Sequence, residues 1–116
     1  MCVQNNIFQM IEHTMSLLNT AIDNHSLLNK NQKNVLRALI KLSLDYEVVA
    51  SIKDLNQLTG VTNTTIASAL SFLEKNKIIE NLIRRGVIFT GCSINKSKLD
   101  EIVIRYNTKK DLLEKN

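Results

Sequence analysis

The segment from Ser51 to Ile94, SIKDLNQLTGVTNTTIASALSFLEKNKIIENLIRRGVIFTGCSI, constrains the fold more than the rest of the chain. Two apolar patterns of helical period are separated by Gly60, and two β-type runs are separated by Gly86. Ser51 opens the first helix: its hydroxyl can accept from the backbone N–H three residues on, and Asp54 stands where its carboxylate can reach back. Ile52, Leu55 and Leu58 are expected to face inward, and the helix is expected to end near Thr59. Glycine suits the next position because it takes the left-handed conformation without a Cβ penalty. Val61 is then predicted to plug the space between the helices, and Thr62 or Asn63 to cap the second one. Ile66, Ala69, Leu70 and Leu73 give that helix an inward stripe, closed by Glu74, Lys75, Asn76 and Lys77, with Asn76 suited to a left-handed end. Ile78–Ile83 and Val87–Ser93 read as a hairpin around Arg84, Arg85 and Gly86.

The flanks read as further helices. Residues 3–23 carry Ile7, Ile11, Met15, Leu18 and Ile22 at helical spacing, and Phe8, Met10, Leu17 and Ala21 widen the stripe beyond one face. Such a helix needs more than one partner surface: either it lies deep in its own domain, or one face packs on the core and another on a second subunit. A polar connector, residues 24–31, leads to a helix over Gln32–Leu44, with Val35, Leu36, Leu39, Ile40 and Ser43 as its buried stripe. Tyr46–Ala50 suits a short strand. Asn95 or Ser97 caps a last helix over residues 96–114, lined on one side by Leu99, Ile102, Val103, Tyr106 and Leu113. The fold class is therefore mainly α with a small β-hairpin, an α+β chain. A single domain spans residues 1–116, with its core at 32–94 between helices at 3–23 and 96–114.

With 116 residues, 44% of them hydrophobic and 22% charged, the chain can bury a core and is not of disordered composition. It has no apolar run long enough to span a membrane and no basic residue ahead of its first apolar stretch, so neither a membrane span nor a secretory signal is expected. Two cysteines, Cys2 and Cys92, make a disulfide framework an unsuitable reading and point to a reducing cytoplasm. The net charge of +4 is unevenly spread: residues 1–30 sum to −1, 31–77 to +2, 78–95 to +1 and 96–116 to +2. The positive excess lies outside the first helix.

The order α-α-β-α-α-β-β-α resembles a winged helix-turn-helix with an added helix at each end, similar to MarR-type regulators and to the winged helices of plasmid replication initiators. The resemblance covers roughly Gln32 to Ile104 and is tightest over LNQLTGVTNTTIASALSFLEKNKIIE. That stretch carries an L-x-x-L-T-G-V-[ST] turn and an [IV]-x-x-A-L-x-x-L-E frame for a recognition helix. The resemblance implies double-stranded DNA as partner, and a two-fold homodimer built by the terminal helices. Its expected role is transcriptional control or plasmid replication and maintenance.

A recognition helix offers its N-terminal residues to base edges in the major groove. The helical period leaves Thr62, Asn63, Thr64, Ala67, Ser68 and Ser71 off the inward stripe. Asn63 is the best base reader among them, because its amide can bond adenine bidentately. Thr64 and Ser68 can meet bases or phosphates, and Thr65 supports the helix start. Tight binders of the resembled family often carry Arg or Lys at the positions of Ser68, Ser71 and Phe72; here the first cation is Lys75. Phosphate neutralisation then falls to Arg84 and Arg85 at the hairpin tip, with Lys53, Lys75 and Lys77 as further contacts. Lone lysines and turn arginines are also common as plain solvated charges. The uncharged helix, together with Phe72 if exposed, suits an alternative: a winged helix used for protein–protein assembly.

Enzyme chemistry has little basis here. His13 and His25 lack metal-ligand spacing with either cysteine, and no phosphate-binding, nucleophile-elbow or zinc-protease motif occurs. No cofactor or metal is expected. Cys92 is expected to be a small apolar strand residue, with redox or metal sensing as the sharper alternative.

Overall fold

The computed structural model describes residues 16–114. Helix α1 covers residues 16–23 of that range. It is followed by α2 (Lys30–Leu42), β1 (Glu47–Val49), α3 (Ile52–Thr59), α4 (Asn63–Lys75), β2 (Ile79–Arg85), β3 (Ile88–Ile94) and α5 (Lys96–Glu114). The first-helix residues Ile7, Ile11 and Met15, with His13 and Cys2, lie outside the described residues, as does the side chain of Leu113.

Capping explains most of the helix boundaries. Helix α2 begins at Lys30, two residues earlier than the apolar pattern suggests, because Asn29 and Gln32 form a reciprocal capping box: the Gln32 N–H donates to Asn29 Oδ1 at 2.8 Å, and the Asn29 N–H donates to Gln32 Oε1 at 2.9 Å. The Ser51–Asp54 box at the start of α3 forms as expected, with N–H···O distances of 2.9 and 3.2 Å. Gly60 ends α3 with φ of 71°. Asn95, not Ser97, caps α5, its Oδ1 accepting from the Lys98 N–H at 3.2 Å.

Helix α2 stops at Leu42 instead of Leu44. Ser43 takes an extended backbone and donates its hydroxyl to the Ile40 carbonyl at 2.7 Å, so it caps the helix instead of joining the stripe. Leu44 and Glu47 then bridge across a two-residue turn in which Asp45 and Tyr46 both have positive φ, 52° and 66°. This is the primed geometry that reverses a chain into an antiparallel strand. Leu44 is 83% exposed as a result. The end of α4 also differs from expectation. Asn76 has φ of −90°, and Lys77 takes the left-handed position at φ of 59°. The Ile78 N–H donates to the Leu73 carbonyl at 2.9 Å and the Lys77 N–H to the Glu74 carbonyl at 3.0 Å, the bond pair of a Schellman motif.

The three strands form one antiparallel sheet in the order β1-β3-β2. Val48 pairs with Cys92, and Ile79 with Ile94. Two offset bulges interrupt β2–β3: Asn81, at φ of 52°, supplies an extra residue on β2, and Thr90 supplies the compensating one on β3, its hydroxyl donating to the Ile83 carbonyl at 3.1 Å. The pairing then recovers through Arg84–Phe89 and Arg85–Ile88.

One apolar cluster joins every layer. Ile22 of α1, Leu36 and Leu39 of α2, Leu55 of α3, Ile66 and Leu73 of α4, and Ile79 of β2 are all fully buried. Leu99 and Ile102 attach α5 to the same cluster, so the terminal helices share the core of the central module. Asp23 fastens α1 to α2: its carboxylate pairs with Arg37, and its carbonyl accepts from Lys33 Nζ at 2.6 Å. Leu58 is the exception to the inward stripe of α3. It lies on the outer flank of α2 beside Asn34, Arg37 and Lys41, and it is exposed.

Candidate nucleic-acid interface

The turn between α3 and α4 is held by side chains that the sequence places within five residues of it. Asn56 Nδ2 donates to the Val61 carbonyl at 2.6 Å, and the Gly60 N–H donates to the Asn56 carbonyl at 2.8 Å. Thr59 Oγ1 donates to the Leu55 carbonyl at 2.7 Å and accepts from the Val61 N–H at 3.1 Å. Val61 is half-buried against the core. These bonds occupy carbonyls at the end of α3 and both backbone polar groups of Val61, and so fix the turn that leads into α4.

Helix α4 buries Ile66, Ala69, Leu70 and Leu73 and leaves Asn63, Thr64, Ala67, Ser68 and Ser71 exposed. Thr62 caps it, accepting from the Thr65 N–H at 3.4 Å and donating its hydroxyl to Thr65 Oγ1 at 2.9 Å. Its hydroxyl is therefore engaged within the helix start, while the Asn63 and Thr64 side chains stand outside that bond network. Phe72 is half-buried against the core, which removes it as an exposed apolar anchor for a partner protein.

The expected cations occupy three places in the fold. Lys53 is exposed in the first turn of α3. Lys75 closes α4, and Lys77 follows in its left-handed cap, both exposed. Arg84 and Arg85 are exposed strand residues at the end of β2, and the hairpin turn itself is Gly86-Val87. This corrects their placement at the turn, and it has a consequence: side chains alternate across a strand, so the two arginines leave opposite faces of the hairpin. Arg84 shares a face with Phe89, and Arg85 with Ile88. The salt bridges among the described residues are Arg37–Asp23 and Lys98–Glu101, and neither uses a cation of this surface.

Two further features escaped the sequence pattern. The first is an apolar groove of about 960 Å³ between α1, α2 and α5, lined by Leu17, Leu18, Ile40, Tyr46, Leu99 and Val103 among others. It depends on how distant helices splay, which no local pattern encodes. The second is the exposed apolar hairpin end formed by Ile83, Val87 and Ile88. Alternation within the strands could have flagged it, had the turn been placed one residue later.

The remaining chemistry-bearing groups are isolated. Cys92 is buried in β3 opposite Val48, and burial, with the Glu47 carboxylate second, raises its pKa to about 11. A thiol held protonated in this way is a poor nucleophile or metal ligand. Burial lowers the pKa of His25, and the charges of Arg105 and Lys33 lower it further. No group of three or more His, Cys, Asp or Glu that could hold a metal occurs among the described residues. No described helix is long and apolar enough to cross a membrane.

No family model and no curated protein matches the chain. Solved structures do. A mutant of MepR from S. aureus superposes with a TM-score of 0.54 over 96% of this chain and 78% of its own, at 18% identity. The transcriptional regulator BldR from Sulfolobus solfataricus superposes with a TM-score of 0.51 over 97% of this chain and 78% of its own, at 17% identity. The likeness extends over the terminal helices as well as the central module. The fold of this chain is therefore a winged helix-turn-helix of the kind found in MarR-type regulators.

Proposed function

We propose that this protein is a sequence-specific double-stranded DNA-binding regulator acting as a homodimer. The observation that carries the reading is the surface of α4. Its exposed start, Thr62-Asn63-Thr64 with Ser68 and Ser71, presents hydrogen-bonding groups without charge, and cations flank it at Lys53, Lys75, Lys77, Arg84 and Arg85. Uncharged donors and acceptors suit base edges, and flanking cations suit phosphates. Asn63 is assigned adenine, and the arginines are assigned the backbone and the adjoining minor groove. Control of transcription is preferred over plasmid replication or maintenance, because BldR is described as a transcriptional regulator. DNA as the target implies the cytoplasm as the working compartment.

Dimerisation is supported by the apolar groove beside α1 and α5 and by the exposure of Ile104 on α5. Apolar surface of that kind favours burial against a second copy. Two copies would present their α4 helices to successive major-groove segments of a palindromic site.

Selection from a random duplex library tests the function. A recovered consensus with two-fold symmetry is the expected result; absence of enrichment at physiological salt would overturn it and favour the assembly module. Light scattering tests the dimer: a mass of 13.2 kDa at micromolar concentration, that of one chain, would refute it.

A further inference from the structure

We infer that the hairpin meets DNA with an apolar edge as well as with its arginines, Val87 and Ile88 packing on the deoxyribose walls of the minor groove. The inference rests on the DNA-binding reading and adds a contact that reading does not contain. Its starting point is an anomaly of exposure: Val87 is 95% exposed, Ile88 59% and Ile83 58%, all on one hairpin end. Three β-branched apolar side chains clustered in water on one projecting element mark a contact surface more often than chance placement.

The geometry selects the occupant. Gly86, at φ of 66°, and Val87 form the two-residue turn, so Val87 is the outermost side chain of the hairpin. Ile88 pairs with Arg85, which puts the apolar group and the guanidinium side by side on one face. Within the hairpin beyond Glu80 the charged residues are Arg84 and Arg85, both cations. A polyanion complements that charge, whereas an acid-free apolar protein surface would leave the arginines desolvated and unpaired. Duplex DNA offers both chemistries. Its minor groove, about 6 Å wide, is too narrow for the two-strand ribbon but admits the side chains that project from its tip, and the groove walls are sugar C–H surfaces rimmed by phosphates. Valine branches at Cβ and is short, so it can lie against a sugar without entering the base stack. The contact therefore strengthens binding without depending on ion release.

That last property gives the test. Affinity of the parent, Val87→Ser, Val87→Ser with Ile88→Thr, and Arg84→Ala with Arg85→Ala is measured by fluorescence anisotropy on the selected duplex across a series of salt concentrations. The apolar double variant is expected to bind roughly tenfold more weakly at every salt concentration, with the parent's slope of log affinity against log salt. The arginine variant is expected to lose about 1 to 2 from that slope, one step per phosphate contact. Val87→Ser should keep the parent's melting temperature, and it decides the matter if the double variant melts early. Apolar variants that bind as the parent does, or whose deficit vanishes at high salt, overturn the inference and leave DNA binding intact. A parent that recovers no duplex overturns the DNA-binding reading and this contact with it.

Discussion

Replacing Gly91 with alanine should destabilise the protein by about 2–3 kcal/mol, because it pushes β1 off the sheet. Gly91 is buried in β3, paired with Val49 on one side and Ile83 on the other. A Cβ at this position would lie under 3.0 Å from the Val48 carbonyl oxygen, 3.5 Å from its carbon and 3.6 Å from Val49 Cα. All three atoms are backbone, so no rotamer relieves the clash. Strand β1 must move by roughly an ångström, which strains the sheet by about 1–3 kcal/mol. It also weakens one or two ladder hydrogen bonds worth about 1 kcal/mol each, with the bond from the Ala50 N–H to the Thr90 carbonyl, now 3.1 Å, the most exposed to loss. Alanine returns about 0.5–1 kcal/mol by restricting the unfolded chain. Gly60→Ala and Gly86→Ala are the controls. A Cβ at either meets nothing within 4 Å, so only the left-handed backbone is penalised, at about 1–2 kcal/mol. Urea unfolding followed by circular dichroism reads the three values on one scale. A Gly91→Ala loss below about 0.5 kcal/mol would refute the reasoning, since β1 would then be free to yield.

Lys77→Gly should stabilise the fold by about 1 kcal/mol by relieving the left-handed cap, yet weaken DNA binding if the ammonium meets a phosphate; paired melting and anisotropy measurements check both directions. Asn63→Ala should broaden the selected consensus at one base pair, at a cost of about 1–3 kcal/mol on the preferred base, and a variant that selects the parent's sequence unchanged would withdraw the adenine contact. Cys92 should make stability fall as pH rises from about 9, the ordinary value of the free thiol, to about 11, the value in the fold. In that window the unfolded chain gives up its thiol proton first, so unfolding gains from every step upward, whereas below it the thiol is protonated in both states. Urea midpoints of the parent and Cys92→Ala, compared across that range, should converge as pH rises. His25 should titrate below its ordinary range, and Arg105→Gln should move it upward without restoring it fully, because burial is the larger cause; proton NMR of the imidazole follows both.

The split between what was legible in the sequence and what was not follows the range of the interactions involved. Much of what is enforced within about one helical turn could be read directly: the Ser51–Asp54 box, the left-handed Gly60, the stripe from Ile66 to Leu73, and the identity of the exposed residues on α4; the equally local Asn29–Gln32 box, which starts α2 at Lys30, is the exception. Capping bonds and amphipathic periods are local, and the residue types that make them are few. Errors arose where two local solutions compete and a distant element chooses. The apolar pattern would carry α2 on to Leu44, but pairing of β1 with β3 demands an earlier reversal, and Asp45 and Tyr46 accept positive φ to supply it. Asn76 and Lys77 were both candidates for the left-handed cap, and the position of Ile79 in the sheet assigned it to the lysine.

For the candidate site the same division holds. The sequence by itself determined which groups can meet DNA: short uncharged side chains at the start of α4, and cations displaced to its end and to the hairpin. Only the tertiary structure decided how they are presented. Strand register placed Arg84 and Arg85 on opposite faces and Val87 in the turn, and packing of α4 on the core left Phe72 half-buried. One strand's composition does not specify the register, and a one-residue shift would reverse the faces; the burial of Phe72 depends on elements distant in the chain.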